Sequence, residues 1–578
     1  MLISARRAAP LLALLVLALP APGGAQAAAS PDLRREAARA LREARAAQAA
    51  FERLRVRHLP WTSERGGGEC DERIGRFCLW HGDDAEVEWK PPPEPEPVRT
   101  GRQELIAKLA EAAARAPGDE WVAGQRVRYL VEAGRHAEVP AAADACGGSG
   151  WWCTALRAYA RHNAREHAEA DSLYAAALVQ MPERERREWT DLSVLLGPDG
   201  GSTYRRSAGE ERARTEARFW WLADPFWMDP GNPRRTEHFS RWVVDRLQER
   251  AKSPEGISWG DDLREILLRY GAPIGWERIR PSHPMMVQHG VSVITHYGPS
   301  RLSAPPPFSS LRDPLSLKPE DWPADDRRAR VDYEEDFGRL DHQVAFFRRG
   351  DSARVVAAYA LDPDSVAADA AVEAGVVLMD APDAEPRLER RMGTGPRGVL
   401  TLDAPPGPTL LSLEARAGPD SLPRVGRARY AVRAPAAAEG VSLSDVLLLG
   451  DPDPLPATLD EAVPRARGST RVRPGERVGL FWEVYGLPAQ ADTVAFSLQV
   501  TREAGGWMRR MAEQVGVLGA APPVRVRWEE ETAGEPVLAR SLVLALPGLA
   551  PGRYTLELAV APREGTPVTV SRELRVER

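Results

Sequence analysis

The feature that most constrains the fold is a change of hydrophobic period along the chain. Up to about residue 250 apolar residues recur at helical spacing; from about Val331 onward, alternation with period two dominates. A segment can satisfy only one of these periods, because side chains return to one face every ~3.6 residues on a helix and every second residue on a strand. The chain is therefore expected to be multidomain α+β, with helices first and sheets last. Its 578 residues are too many for one core and predict roughly three to five domains.

The start of the chain carries a second strong pattern. Arg6 and Arg7 precede the apolar run AAPLLALLVLALPA, and Ala25 and Ala27 form an A-x-A pattern before Ala28. That order is a secretory signal peptide over residues 1–27. The run is shorter than the ~20 residues that span a bilayer, and no later segment is long and apolar enough to do so. The expectation is an exported chain, periplasmic or extracellular after cleavage, with no transmembrane segment in its mature form. The cysteines fit that compartment. Cys70 and Cys78 flank DERIGRF, Cys146 and Cys153 flank GGSGWW, and local pairing is the simplest of the three pairings that four cysteines allow. C-x7-C and C-x6-C lack the tight spacing of structural zinc sites, so neither metal nor cofactor is expected. A net charge of −6 on so long a chain offers no footprint for nucleic acid.

Residues 28–90 read as a helix followed by a cysteine loop. Ser30 can cap the helix, Pro31 suits its first turn, Asp32 complements its dipole, and Leu33, Leu41, Phe51 and Leu54 form an apolar stripe. KPPPEPEPVR, from Lys90, reads as a stiff solvated linker over residues 91–100. Residues 101–200 are helical, and His136-Ala137-Glu138 and His167-Ala168-Glu169 recur 31 residues apart. This is the pattern of two degenerate tetratricopeptide-type hairpins, whose period is ~34 residues. A peptide-binding groove and a plain helical scaffold are both open readings of the pair.

Residues 205–300 concentrate tryptophan at Trp220, Trp221, Trp227, Trp242 and Trp259, which reads as core packing. Asp229-Pro230-Gly231-Asn232-Pro233 is a strong turn, and Phe239, Trp242, Val243 and Leu247 follow helical spacing with Arg246 at the edge. Beyond them, QVAFFRRGDSARVVAAYAL reads as a hairpin turning at Gly350-Asp351. PPGPTLLSLEARA and APGRYTLELAVA echo one another: each turns at Pro-Gly into an alternating strand. Two immunoglobulin-like β-sandwiches are expected, over residues 332–435 and 442–578, with Tyr554 bonding back to the backbone as a tyrosine corner.

Several catalytic patterns fail on context. Gly256, Ser258 and Gly260 fit G-x-S-x-G, but a nucleophile elbow needs a strand before the serine and a helix after it. Here a helix precedes, and LREILLRYG reads as a strand. Asp341 and His342 are downstream acid and histidine partners of the kind any long chain offers. Gly393, Gly395 and Gly398 fit G-x-G-x-x-G, but the following VLTLDA is a strand where a dinucleotide site needs a helix; RLERRMGTGPRGVLTLDA reads as a hairpin. His283, His289 and His296 are spread through a loop and a strand that could converge, but a shared metal site is not expected, and Asp451-Pro452-Asp453 lacks the later positions of a calcium loop. Asp261 and Asp262, as neighbours on an extended chain, would face opposite ways.

Ser258-Trp259-Gly260-Asp261-Asp262, then Ile266-Leu267-Leu268-Arg269-Tyr270-Gly271-Ala272-Pro273, resembles the GWxTD domain of exported bacterial proteins. FWWLADPFWMDPGNPRRTEHFSRWV resembles its usual lead-in, and the likeness covers about residues 219–298. Trp259, Asp262, Tyr270, Gly271 and Pro273 match position by position; Ser258 stands where the family has Gly, and Asp261 where it has Thr. The resemblance implies an exported, multidomain protein with β-sandwich companions, and no assigned reaction. From the residues themselves, Trp259 can seal the junction between helix and strand, Asp262 can bond backbone amides in the turn, and Gly271 can supply φ > 0 before Pro273. The functional expectation is a non-catalytic protein that binds other proteins or envelope polymers; the alternative is an exported hydrolase with its site in the GWxTD-like region.

Overall fold

The structure, a computed structural model, describes residues 31–62, 72–79, 91–148, 150–279, 293–296, 306–322, 336–362, 364, 366–418, 424–436, 440–487, 492–503, 524–532, 535–546, 549–563 and 566–577. Residues 1–27, Ser30, Cys70, His283 and His289 lie outside the described residues. An N-terminal helical region is followed by a mixed α/β part and then by C-terminal sheets. Among the described residues no helix is long and apolar enough to cross a membrane.

Helix α1 (Pro31–His58) buries Ala40, Ala44, Gln48, Phe51 and Arg55, one face at helical spacing. Leu33, expected in that stripe, is 59% exposed. A short strand β1 (Trp61–Thr62) and the hairpin β2–β3 (Glu72–Ile74, Phe77–Leu79) follow. Helix α2 (Glu96–Arg115) begins inside the expected linker, because Pro95 takes the cap position and Pro97 the first turn, where a missing N–H costs nothing. Then come α3 (Glu120–Glu132), α4 (Val139–Asp144), α5 (Gly150–Asn163), α6 (His167–Gln180), α7 (Glu183–Trp189), α8 (Gly197–Arg206), α9 (Gly209–Ala223), α10 (Pro233–Glu249) and α11 (Asp261–Tyr270). Asp119 caps α3 by accepting from the amides of Trp121 and Val122, both at 3.0 Å. Cys146 and Cys153 are joined by a disulfide between α4 and α5.

One apolar core joins α1–α3, α5 and α6 to Phe239, Trp242, Val243 and Leu247 of α10. Gln125 on α3 donates to the Leu247 carbonyl at 2.8 Å, and the Trp121 indole donates to Arg250. Thus α10, which lies within residues 205–300, shares one core with the helices that precede it. A three-stranded sheet completes the mixed part: β1 pairs in parallel with β4 (Gly275–Ile279), which pairs with β5 (Val293–His296). The short helix α12 (Phe308–Arg312) leads to the sheets.

The first β unit has two facing sheets. One runs β10 (Arg387–Thr394), β9 (Ala371–Met379), β12 (Gly407–Ala417), β13 (Arg424–Ala434) and β6 (Asp336–Arg339); the other runs β11 (Arg397–Ala404), β8 (Ser352–Ala360) and β7 (Asp341–Arg349). Val355 and Ala357 of β8 meet Val376 of β9 and Leu411 and Leu413 of β12 in their shared core. The hairpin at Gly350 is present. The hairpin expected in RLERRMGTGPRGVLTLDA is absent: β10 pairs with β9 and β11 with β8. Gly395, at φ 81°, turns the chain from one sheet to the other, and a side chain there would meet the Ala368 carbonyl.

The second unit contains β14 (Ser442–Leu443), β15 (Leu447–Leu449), the helical turn α13 (Leu459–Ala462), β16 (Arg471–Val472), β17 (Arg477–Tyr485), β18 (Asp492–Arg502), β19 (Val524–Thr532), β20 (Val537–Ala545), β21 (Gly552–Pro562) and β22 (Val568–Val576). β14, β15 and β20 pair with β17, and this sheet faces β16-β22-β21-β18-β19 across a core that includes Trp482, Phe496 and Tyr554. The Tyr554 hydroxyl donates to the Ala550 carbonyl at 2.8 Å. The two units are welded rather than strung together. Ala345, Phe347 and Val356 of the first share a core with Leu447, Leu449 and Phe481 of the second, and the Gln343 amide bonds both N–H and C=O of Leu448.

Candidate functional site

Helix α10 opens where the sequence places Asn232 before Pro233. The Asn232 side chain caps it by accepting from the Arg235 amide at 2.9 Å. Trp220, Trp221, Trp227 and Trp242 are each 6–7% exposed, so the tryptophans are packing residues. Among them α10 buries charge. Glu237 accepts from Arg234 at 3.0 Å and from Arg241, and all three side chains are at most 5% exposed. Arg241 also donates to the carbonyls of Leu268 and Arg269, at 2.9 and 3.1 Å, in the last turn of α11. It therefore satisfies orphan acceptors that every helix end leaves.

The segment expected as a strand after Asp262 is helix α11. Leu263, Ile266, Leu267 and Tyr270 lie at i, i+3, i+4 and i+7, and all are buried; that spacing is helical, and the short apolar Ile-Leu-Leu run disguised it. Gly271 ends the helix at φ 77°, its amide bonding the Leu267 carbonyl. The chain passes through Pro273 and joins the sheet where the Ile274 amide bonds the His296 carbonyl. Trp259 consequently seals a helix–helix junction: its indole donates to Asp245 of α10 at 2.8 Å, and Arg264 of α11 donates to the other oxygen at 3.0 Å. Burial pushes the Asp245 carboxyl up, with the Arg264 charge opposing it.

The outer face of α11 holds the β2–β3 hairpin. Asp262 accepts from the Arg76 guanidinium at 2.5 and 2.6 Å, from the Arg76 amide at 3.2 Å and from the Leu263 amide at 2.8 Å. About two turns further along the helix, Arg269 makes a bidentate pair with Glu72 at 2.7 and 2.8 Å, and Tyr270 donates to the same carboxylate. Ile74 packs on Ile266 and Tyr270, with Phe77 and Leu79 beside them. The approach is close: at Gly75, φ 51°, a Cβ would lie 2.5 Å from that of Asp262. Asp262 and Tyr270 thus meet one hairpin almost 200 positions away in the chain, whereas Trp259 reaches α10, 14 positions back.

Ser258 is exposed, and its carbonyl accepts from Arg76 at 3.1 Å. Asp261 pairs with Arg264, His296 with Glu277 and Asp341 with Arg471, while His342 bonds Tyr430. Asp261 and Asp262 sit in the first turn of a helix instead of on an extended chain, and they face different partners. Among the described residues no group of acids, histidines or cysteines is arranged to hold a metal ion. Arg76, Glu72, Glu237, Arg241 and Asp245 were not singled out from the sequence. The one signal for them was the Glu237–Arg241–Asp245 spacing of charges along a helix whose neighbouring positions are apolar.

The Arg76 hydrogen bonds pull the Asp262 carboxyl from 3.8 to about 2. A depressed folded value stabilises above the unfolded value and is lost below it. Docking of the hairpin is therefore expected to hold above about pH 4 and to weaken as pH falls toward 2. Arg76 is 47% exposed, so solvent screens the pair and Asp262→Asn is expected to cost only about 1 kcal/mol. Amide exchange over residues 72–79 checks this; unchanged exchange in the variant contradicts it.

No family model matches this chain, and no curated protein matches it. Among solved structures, a red sea bream transglutaminase aligns with 41% of this chain and 31% of its own length, at 10% identity and a TM-score of 0.15. This chain therefore spans under a third of that protein, and so slight a likeness carries no argument about fold or activity.

Proposed function

We propose that this chain is an exported, non-catalytic scaffold whose work is to bind other proteins or envelope polymers. The observation that carries the reading is how the motif uses its polar groups. Trp259, Asp262 and Tyr270 each hold two segments together, as a junction does, and among the described residues Ser258 meets Arg76 through its carbonyl. In this reading residues 205–300 are a GWxTD-like module. The antiparallel contact of α5 with α6, opened by His167-Ala168-Glu169, supports tetratricopeptide-like hairpins. The paired sheets and the Tyr554–Ala550 bond support immunoglobulin-like sandwiches.

The mature chain used as bait on envelope extracts is the direct test, with an ester- and peptide-hydrolysis screen beside it. Hydrolysis is expected to stay at background for wild type and Ser258→Ala alike. A rate above background that Ser258→Ala abolishes overturns the reading in favour of a hydrolase.

A further inference from the structure

Sheet edges differ in how they are guarded. An open strand edge is a template for another strand, and proteins blunt such edges with charge, shortness or cover. The edge strand β10 carries Arg387, Glu389, Arg390 and Arg391 among eight residues, and β19 carries five charges among nine. Strand β20, VLARSLVLA, is nine residues long with one charged side chain. That side chain, Arg540, is turned onto Glu530 and its own neighbour's carbonyl. Among the described residues β20 pairs only with β17, and Val537 at its start is 42% exposed.

A hollow of about 570 Å³ adjoins the first half of this edge. Ala539 lies opposite Glu483, and Val537 opposite Tyr485; Leu459 and Ala462 of α13 cover the next stretch of this face, where Ser541 bonds the Pro456 carbonyl. Toward Val537 the cover stops, and the hollow opens between the hairpin tip at Arg349-Gly350 and the Thr458–Asp460 turn. Of the three arginines that line the hollow, Arg349 is neutralised by Glu483 at 2.7 Å, Arg540 pairs with Glu530, and Arg348 lies 4.7 Å over the Tyr485 ring, which leaves the acids in excess by one. Asp460 and Glu535, both exposed, have no basic partner among the described residues.

We infer that the β20 edge receives an extended segment of a partner polypeptide, with apolar residues alternating with lysine or arginine. Backbone pairing with β20 supplies affinity, side chains on one face of the added strand enter the hollow, and a basic side chain meets Asp460 and Glu535. A second copy of this chain fits less well. Two-fold pairing of β20 with itself would set Ser541–Ala545, which carries no cation, against the hollow and its acids. This inference deepens the binding role proposed above and rests on it.

The test uses the full mature chain and a fluorescein-labelled nine-residue peptide of alternating valine and threonine, with lysine at two of the threonine positions. Saturable binding is expected, weakened about tenfold by Val537→Lys, which places a guarding charge on the edge. The pair Asp460→Asn with Glu535→Gln is expected to weaken it about threefold and to reduce its salt dependence. A peptide with proline at its centre is expected not to bind. Equal affinity of wild type and Val537→Lys, or no binding of the lysine peptide, overturns the inference. Self-association of the wild type that Val537→Lys abolishes assigns the edge to a second copy and also overturns it. If the edge fails while the mature chain still captures partners, the binding role stands; loss of both removes both.

Discussion

Glu414→Ala is expected to destabilise the chain by about 5 kcal/mol, because it strands several buried donors at once. Glu414 and Arg429 form an ion pair at 3.0 Å with both side chains 0% exposed. The carboxylate also accepts from the amides of Trp227 and Met228, each at 3.0 Å, and from the Ser412 hydroxyl at 2.6 Å. Arg429 in turn donates to the carbonyls of Leu222 and Asp224 and lies 3.9 Å over the Trp227 ring. The cluster joins the turn between α9 and α10 to the sheet of the first β unit, beside a shared core of Trp220, Trp221, Val377 and Leu410. Exchange of the Trp227 and Met228 amides is expected to accelerate along with the loss of stability. Arg429→Ala is expected to cost nearly as much, and a loss below about 1 kcal/mol in either variant contradicts this account.

The same junction carries a pH dependence. Burial pushes the Asp224 carboxyl well above its ordinary 3.8, with Arg429 opposing the shift. The folded state then holds a proton that the unfolded state releases, so this group's contribution is largest below about pH 4 and declines as pH rises through the folded value. That is opposite in sign to the Asp262 contact, which needs its carboxylate charged.

Glu237→Ala is the second large effect, expected at about 3 to 5 kcal/mol, the usual cost of removing one member of a buried charge cluster. Arg234 and Arg241, at 5% and 4% side-chain exposure, lose their shared carboxylate. Arg241 keeps the α11 carbonyls, so the end of α11 is expected to loosen rather than detach. Glu237→Gln retains shape and one acceptor and is expected to fall between wild type and alanine. Urea unfolding followed by tryptophan fluorescence reads both, since Trp220 lies 5.0 Å from the His238 ring next to Glu237. Equal stability of the alanine variant and wild type would mean that the cluster contributes nothing.

The α11 segment explains why the candidate site was only half legible. Its four apolar positions spell a helix, yet Ile266-Leu267-Leu268 between a glycine and a Tyr-Gly turn also suits a buried strand. Length and flanks do not separate the two for so short a run. Trp259, Asp262 and Tyr270 stood out in the sequence, but their partners did not. The RLERRMGTGPRGVLTLDA corner is a similar case: alternation and Gly395 predict two strands and a turn, and they are silent on which sheet each strand joins.

What the sequence determined by itself is local. The change of period sets helices before sheets, Asn232-Pro233 starts α10 and Gly350-Asp351 turns a hairpin, because consecutive residues encode each of these. Tertiary structure decided the rest. Asp262 meets Arg76 across 186 positions and Arg269 meets Glu72 across 197, while β20 is left as an open edge beside a hollow. A charged residue carries no mark of its distant partner; the pairing exists only once folding brings two faces together and removes the water between them.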